Sequence, residues 1–153
     1  GAQMMKSRER MGWKVPVVSH WGISGGRFTE LAGPAAKDAV FVQTYSFFGK
    51  QNDAGQRVLS ALKQKYNVSG PEDVFSPVGV ANAYDAMHLV APAIGKAGST
   101  KGEAVRKAMY AIDEYKGLIK TYRKPFTPQN QDALRADDYI MVRFEGTKSV
   151  PVN

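Results

Sequence analysis

The sequence contains no cysteine and only two histidines, His20 and His88. The lack of cysteine excludes disulfides, thiolate catalysis and cysteine-ligated metal ions, and two histidines far apart in the chain do not indicate a histidine-rich metal centre. The sequence also lacks any run of about 18 uninterrupted apolar residues, the length that a membrane-spanning helix needs. We therefore predict that this chain holds no metal ion and no cofactor, and that it does not cross a bilayer.

The motifs of common enzyme classes are missing as well. There is no G-x-S-x-G nucleophile elbow, no P-loop and no dinucleotide-binding fingerprint. His20, Asp38 and Ser24 can be imagined as a base, its orienting carboxylate and a nucleophile, but nothing in the sequence places them together. We predict that the chain is not an enzyme.

Positive charge is in excess, because Lys and Arg number 21 against 14 Asp and Glu, a net charge of +7. A nucleic-acid-binding domain usually concentrates such charge in a stripe with interleaved aromatic residues. Here the cations are scattered, with modest clusters at residues 6–10 and 116–124. A solvated basic surface is therefore favoured and no nucleic-acid partner is expected; nucleic-acid binding stays the alternative from a different functional class.

The chain opens with GAQMMKSRERM, which has the charges of a secretory signal but not its apolar stretch. Residue 1 is not methionine, so we expect a processed or truncated piece of a longer protein. Met4, Met5 and Met11 fit one apolar face of a helix that ends at Gly12.

Strand and helix patterns alternate along the rest of the chain. Valine-rich residues 14–19 and the stretch AVFVQTYSFF at 39–48 predict strands, and DYIMVRFEGTKSVPV predicts a final hairpin with its turn at 145–148. Apolar residues recur at helical spacing between them, so the fold class is predicted to be α/β. Four short strands make a thin doubly wound sheet, which indicates part of a larger protein. The predicted helical segments cover residues 53–66, 80–94 and 102–112.

Three stretches carry a resemblance to a known family. They are NAYDAMHLVAPAIGKAGS at 82–99, GEAVRKAM at 102–109, and YKGLIKTYRKPFTPQNQDAL followed by DDYIMVRFEGTK. In this order they resemble the C-terminal part of type I periplasmic solute-binding proteins, the branched-chain amino acid group of ABC-transporter receptors. Gln131 stands where many members have histidine.

The resemblance implies two doubly wound, Rossmann-like lobes that close over a small molecule, with only the C-terminal portion present here. Residues 1–46 and 137–153 would belong to the second lobe and 47–136 to the first, with hinge crossings near 46 and 136. It further implies a periplasmic location and an inner-membrane ABC permease as partner. The rest of the chain, or a swapped second copy, would complete the lobes. The alternative within the same fold is a sensory or regulatory ligand-binding domain.

The stretch VPVVSHWGISGG at 15–26 leads from the first strand into a glycine-rich loop. Ligands of doubly wound sheets lie beyond the carboxyl ends of the parallel strands, so Ser19, His20, Trp21 and Gly22 are predicted ligand contacts. Glycine in this loop also lets a ligand approach the backbone closely. The alternative places Trp21 in the core against residues 39–48.

Four further ligand contacts are predicted. Tyr45 follows the second strand, while Val78, Gly79 and Asn82 begin the Tyr-Asp-Ala helix, whose N-terminus suits polar or anionic ligands. In the same helix, Asp85 is expected to make structural hydrogen bonds or to be solvated.

The loop at 19–26 contains no carboxylate, and the nearest one downstream is Glu30. The amino acid receptors that the chain resembles place an acidic residue in this loop to meet the ligand's ammonium group. A buried ammonium without a counter-charge is costly. We therefore expect the ligand to be an aromatic or aliphatic carboxylate, or a similar neutral-to-anionic solute, unless another part of the protein supplies the charge.

Overall fold

The structure of the chain is a computed structural model that describes residues 1–152. Helices and strands alternate in it, which confirms the α/β class. None of the helices in residues 1–152 is both long and apolar enough to cross a membrane. The helices are α1 (Ala2–Arg10), α2 (Phe28–Ala32), α3 (Asp53–Tyr66), α4 (Pro77–Ala97) and α5 (Gly102–Tyr110). The strands are β1 (Val17–His20), β2 (Ala39–Gln43), β3 (Glu114–Lys116), β4 (Thr121–Arg123), β5 (Ile140–Glu145) and β6 (Lys148–Pro151).

Four of the strands form one sheet in the order β1-β2-β5-β6. β1 and β2 are parallel, whereas β5 runs antiparallel to β2 and forms a hairpin with β6. The predicted valine-rich strand and the final hairpin are thereby confirmed. The strand predicted over 39–48 is too long, because β2 ends at Gln43. Beyond it the chain packs on itself, and buried Phe47 lies edge-on against Tyr45 at 5.0 Å.

The core of this sheet lies on the face that α1 and α2 cover. Phe41 of β2 is fully buried, and its ring centroid is 4.8 Å from that of Phe144 in β5. Phe28 of α2 stacks on Phe144 at 5.4 Å. The three rings fix the register between β2 and β5, because a slip of one residue would turn Phe41 to the opposite face.

Helix α1 contributes one methionine to this core. Met5 is fully buried, but Met4 is 52% exposed and Met11 is 73% exposed. The prediction that the three share one apolar face is therefore wrong. Successive residues of a helix point about 100° apart, so Met4 turns away from the sheet when Met5 faces it, and Met11 already lies beyond the last residue of α1.

The opposite face of the sheet is open to solvent in the described chain. Val18 of β1 is 72% exposed and Met141 of β5 is 40% exposed. Parallel strands are usually covered on both faces, so an apolar surface of this kind normally lies against another layer. That the rest of the protein or a second copy covers it stays a prediction.

The chain divides into two compact units. The first contains Gly1–Val78 and the chain from Tyr139 onward, with the four-stranded sheet; the second contains Gly79–Asp138, with most of α4, α5 and the β3–β4 hairpin. The contacts therefore group 47–78 with the first unit of this chain. The lobe boundaries predicted near 46 and 136 concern the complete protein, and they stay predictions.

The second unit is organised around one buried carboxylate. Asp85 of α4 is 2% exposed and accepts hydrogen bonds from the backbone N–H groups of Leu118 (2.6 Å) and Ile119 (2.9 Å) and from the hydroxyl of Tyr122 (2.8 Å). A Cβ on Gly117 would lie 2.7 Å from an Asp85 oxygen. Burial and this carboxylate raise the pKa of Tyr122. Of the two alternatives for Asp85, structural hydrogen bonding is confirmed.

Candidate functional site

The predicted ligand loop leaves the sheet at the carboxyl end of β1. β1 ends at His20, which lies opposite Val42 in parallel β2. The carboxyl ends of neighbouring parallel strands therefore meet at this edge, where doubly wound sheets bind their ligands. Ser19 is partly buried in the strand, and His20 is exposed. The placement of these residues agrees with the sequence analysis, and their contact with a ligand stays a prediction.

His20 shapes the loop as well as ending the strand. Its Nδ1 accepts a hydrogen bond of 3.0 Å from the N–H of Gly22, which caps the single turn Trp21–Ile23. A Cβ on Gly22 would lie 2.5 Å from the imidazole. When Nδ1 accepts, the neutral imidazole carries its proton on Nε2. The ring therefore presents a hydrogen-bond donor, which suits a carboxylate or carbonyl oxygen.

Trp21 lies outside the core. It is 40% exposed, so the alternative that places it in the core against 39–48 is wrong. Its indole stacks on the ring of Tyr139 with centroids 6.5 Å apart and planes 23° apart, and it meets the edge of His20 at 6.0 Å. The sequence analysis missed Tyr139, because no local pattern joins residues so far apart in the chain. The result is an aromatic surface of two stacked rings beside an imidazole.

The glycines at 25 and 26 have a different cause from the one predicted. A Cβ on Gly25 would lie 1.7 Å from the carbonyl oxygen of Phe75. The N–H of Gly26 donates to the same oxygen at 3.0 Å, and Gly26 has a φ of +66°. These two glycines therefore let the loop approach the protein's own backbone, and the proposal that they open space for a ligand is not needed to explain them.

Glu30, the nearest carboxylate, already has a partner. Both of its oxygens accept from the guanidinium of Arg27, one of them at 2.7 Å from Nε. This hydrogen bonding lowers the pKa of Glu30. A carboxylate engaged in this way is a poor counter-charge for a second cation, so Glu30 does not supply the acidic group that the loop lacks.

A hollow of about 270 Å³ lies beside the loop and contains other acidic residues. Ser24 and Glu30 line one part of it, and Glu72 and Asp73 line another. Asp73 accepts a hydrogen bond from the backbone of Ser69. Glu72 forms no ion pair with any residue in 1–152. Glu72 is thus the carboxylate of this hollow that is available to a cationic group.

Comparison with known proteins identifies the family. The profile of the periplasmic binding protein family matches residues 1–147. The chain belongs to the periplasmic binding protein family. The members are solute-binding proteins of the type I fold, which confirms the resemblance described above. Among curated protein sequences, none matches the chain.

Solved structures show the same fold. A type 1 periplasmic binding protein from Bordetella pertussis superposes with a TM-score of 0.78 at 22% identity over 99% of this chain. A leucine-binding protein from Thermotoga maritima gives 0.77 at 17% identity over 99% of it. A solute-binding protein from Rhodopseudomonas palustris, solved with benzoate, gives 0.68 at 17% identity, again over 99%. The chain spans 43%, 40% and 39% of these three proteins.

The other predicted contacts of this periplasmic binding protein do not join the loop in one cluster. The hydroxyl of Tyr45 donates to Gln51 within its own loop. Val78 is 1% exposed and belongs to the first unit, whereas Gly79 and Asn82 belong to the second. Their roles in ligand binding stay predictions. Ser19, His20, Trp21 and Gly22 are the part of the predicted set that the structure brings together.

A larger hollow of about 530 Å³ lies near the opposite end of β1. Trp13 and Asp38 line it, and Asp38 accepts a hydrogen bond of 2.8 Å from Arg8. Asp38 directly precedes the residue that pairs with Val17, at the far end of the strand from His20. The base and carboxylate imagined from the sequence are therefore not assembled in this periplasmic binding protein.

Proposed function

We propose that this chain is part of the substrate-binding component of an ABC transporter. The complete protein would capture a small organic solute between two lobes in the periplasm and deliver it to an inner-membrane permease. The observation that carries this proposal is the exposed indole of Trp21, next to the imidazole of His20, at the carboxyl edge of a parallel strand pair. A soluble protein rarely leaves a stacked indole open to solvent at a sheet edge without a use for it.

The chemistry of this surface favours an aromatic or aliphatic carboxylate. The indole and the Tyr139 ring offer an apolar, polarisable face. The Nε2 of His20 offers a donor, and the net charge of +7 favours an anion over a cation. The structural relatives include a leucine-binding protein and a protein solved with benzoate, so both chemistries occur within this fold.

Calorimetric titration of the full-length protein with benzoate, with short aliphatic acids and with leucine tests the proposal. We expect the carboxylates without an ammonium group to bind more tightly than leucine. Leucine needs a counter-charge, and Glu72 is the carboxylate beside the loop that could provide one. Tight leucine binding that Glu72→Gln abolishes would overturn the proposed ligand class. Failure of every small solute to bind would overturn the function.

The chain offers a matched control for Trp21. Trp13 is also exposed, at 58%, but it lies by the opposite end of β1. Trp21→Ala should weaken binding of an aromatic carboxylate about 5- to 30-fold, since a buried aromatic contact contributes roughly 1–2 kcal/mol. Trp13→Ala should leave the affinity unchanged. Equal effects of the two substitutions would show that the indole of Trp21 does not contact the ligand.

A further inference from the structure

The loop at residues 20–26, here called the β1 loop, is attached within its own unit at two places. Both attachment points lie next to positions where the chain passes between the two units. The chain leaves the first unit between Val78 and Gly79 and returns between Asp138 and Tyr139. The two attachments are made by different means, one through the backbone and one through side-chain rings.

The first attachment is a backbone contact. The carbonyl oxygen of Phe75 accepts from Gly26 at 3.0 Å, and a Cβ on Gly25 would lie 1.7 Å from the same oxygen. The ring of Phe75 also lies over Gly26, 3.3 Å from the position of a Cβ there. Phe75 stands three residues before the first crossing at Val78. A movement of the chain at this crossing is therefore transmitted to the β1 loop over a very short distance.

The second attachment is an aromatic stack. The ring of Tyr139 lies against Trp21, with planes 23° apart. Tyr139 is the first residue after the return crossing, and Asp138 before it is held in the other unit. There the carboxylate of Asp138 accepts from Lys120 and, at 2.7 Å, from the backbone N–H of Arg135. Two consecutive residues are thus fixed to different units.

We propose that Phe75 and Tyr139 are positioning residues that hold the β1 loop from both crossings, so that hinge movement sets the position of His20 and Trp21. The proposal rests on the function proposed above. A ligand drives closure only through contacts that differ between the open and closed states. Because the β1 loop is tied to both crossings, its contacts with a ligand change as the crossings move.

The stack is tested in full-length protein that carries Trp13→Phe, so that Trp21 is the tryptophan of this chain that fluoresces. Tyr139→Leu removes the ring and Tyr139→Phe keeps it. Without ligand, we expect Tyr139→Leu to lower the fluorescence anisotropy of Trp21. It should also speed amide hydrogen exchange at Gly26, at the other end of the loop, by at least about fivefold. Tyr139→Phe should behave as the parent protein does.

With a bound carboxylate, the readout is coupling. In the parent protein the radius of gyration falls on closure, and the emission of Trp21 shifts in parallel. Tyr139→Leu should weaken binding about three- to tenfold, as expected for the loss of one aromatic pair. It should leave the compaction in place while the emission shift is lost. A merely structural role for Tyr139 would change stability but would not separate these two signals.

The backbone attachment is tested with Gly25→Ala, whose methyl group has no room beside the Phe75 carbonyl. Gly95→Ala is its control, because a Cβ on Gly95 meets nothing within 4 Å. We expect faster exchange at Gly26 and weaker ligand binding for Gly25→Ala only. If Gly25→Ala does not fold, the Tyr139 pair decides the proposal.

The two proposals fail separately. If the parent protein binds no solute, the proposed function is wrong, and the ligand-free anisotropy and exchange measurements still decide whether the loop is held from both crossings. If the parent binds a carboxylate but Tyr139→Leu leaves the exchange at Gly26, the affinity and the emission shift unchanged, the positioning role is wrong.

Discussion

Removal of the Asp85 carboxylate is the most severe single change that the structure predicts outside the sheet. Asp85→Ala deletes an acceptor that serves Leu118, Ile119 and Tyr122 at 2.6–2.9 Å. A hydrogen bond to a charged group contributes about 1.5–3 kcal/mol, and each donor left buried adds a penalty. Since backbone donors can partly recover a water, we expect a loss of about 3–5 kcal/mol, a large share of the roughly 5–15 kcal/mol that stabilises a typical domain.

Smaller changes at the same cluster should give a graded series. Asp85→Asn keeps one acceptor oxygen but replaces the other with a donor, so we expect a loss of about 2 kcal/mol. Tyr122→Phe removes one hydroxyl only and should cost about 1 kcal/mol. Urea unfolding followed by circular dichroism measures each difference, and a constant m-value would show that the same surface is exposed on unfolding.

Asp113→Asn is the matched control, because Asp113 is exposed in the same unit. It should stay within about 0.5 kcal/mol of the parent. The reasoning fails if Asp85→Ala costs no more than Asp113→Asn, or if Tyr122→Phe costs more than Asp85→Ala. Either result would mean that the carboxylate does not organise the 117–122 segment.

Three further outcomes are expected. Phe41→Ala should lower the free energy of unfolding by about 3–5 kcal/mol, measured in urea, because the ring is fully buried. Burial alone would raise the pKa of Asp138, but the hydrogen bond from Lys120 outweighs it and the net pKa is lowered; the stability that the parent holds over Asp138→Asn should be complete above pH ~4 and vanish as the pH falls further, as thermal melts across that range would show. Val18→Lys should change stability by less than about 0.5 kcal/mol yet reduce self-association of the 153-residue chain in light scattering, because Val18 is 72% exposed on the open sheet face.

Local patterns predicted most of the fold. The valine run before Ser19 and the apolar stretch that begins at Ala39 both became strands, because short β-branched and aromatic runs fit a pleated sheet in almost any context. The end of β2 was not predictable in this way. The sequence stays apolar through Phe48, and only tertiary packing of Phe47 and Tyr45 shows that the chain leaves the sheet early.

The candidate site divides along the same line. His20 and Trp21 were found because a strand followed by a glycine-rich loop marks the ligand edge of a doubly wound sheet. The roles of Gly25 and Gly26 were misread, because a glycine that admits a ligand and one that admits the Phe75 backbone look alike in sequence. Which of the two applies depends on a residue about fifty positions away, and no local rule connects them.

Tyr139 shows what a topological argument adds to pattern reading. β5 runs antiparallel to β2, with Ile140 opposite Gln43, so the start of β5 lies where β2 ends. β1 ends at the same edge, because His20 lies opposite Val42. The residue just before an antiparallel strand therefore reaches the edge that is normally formed by the carboxyl ends of parallel strands. Once β5 is assigned beside β2 in this register, an aromatic residue at position 139 belongs among the candidates for the ligand edge, and its stack on Trp21 follows from the order of the strands.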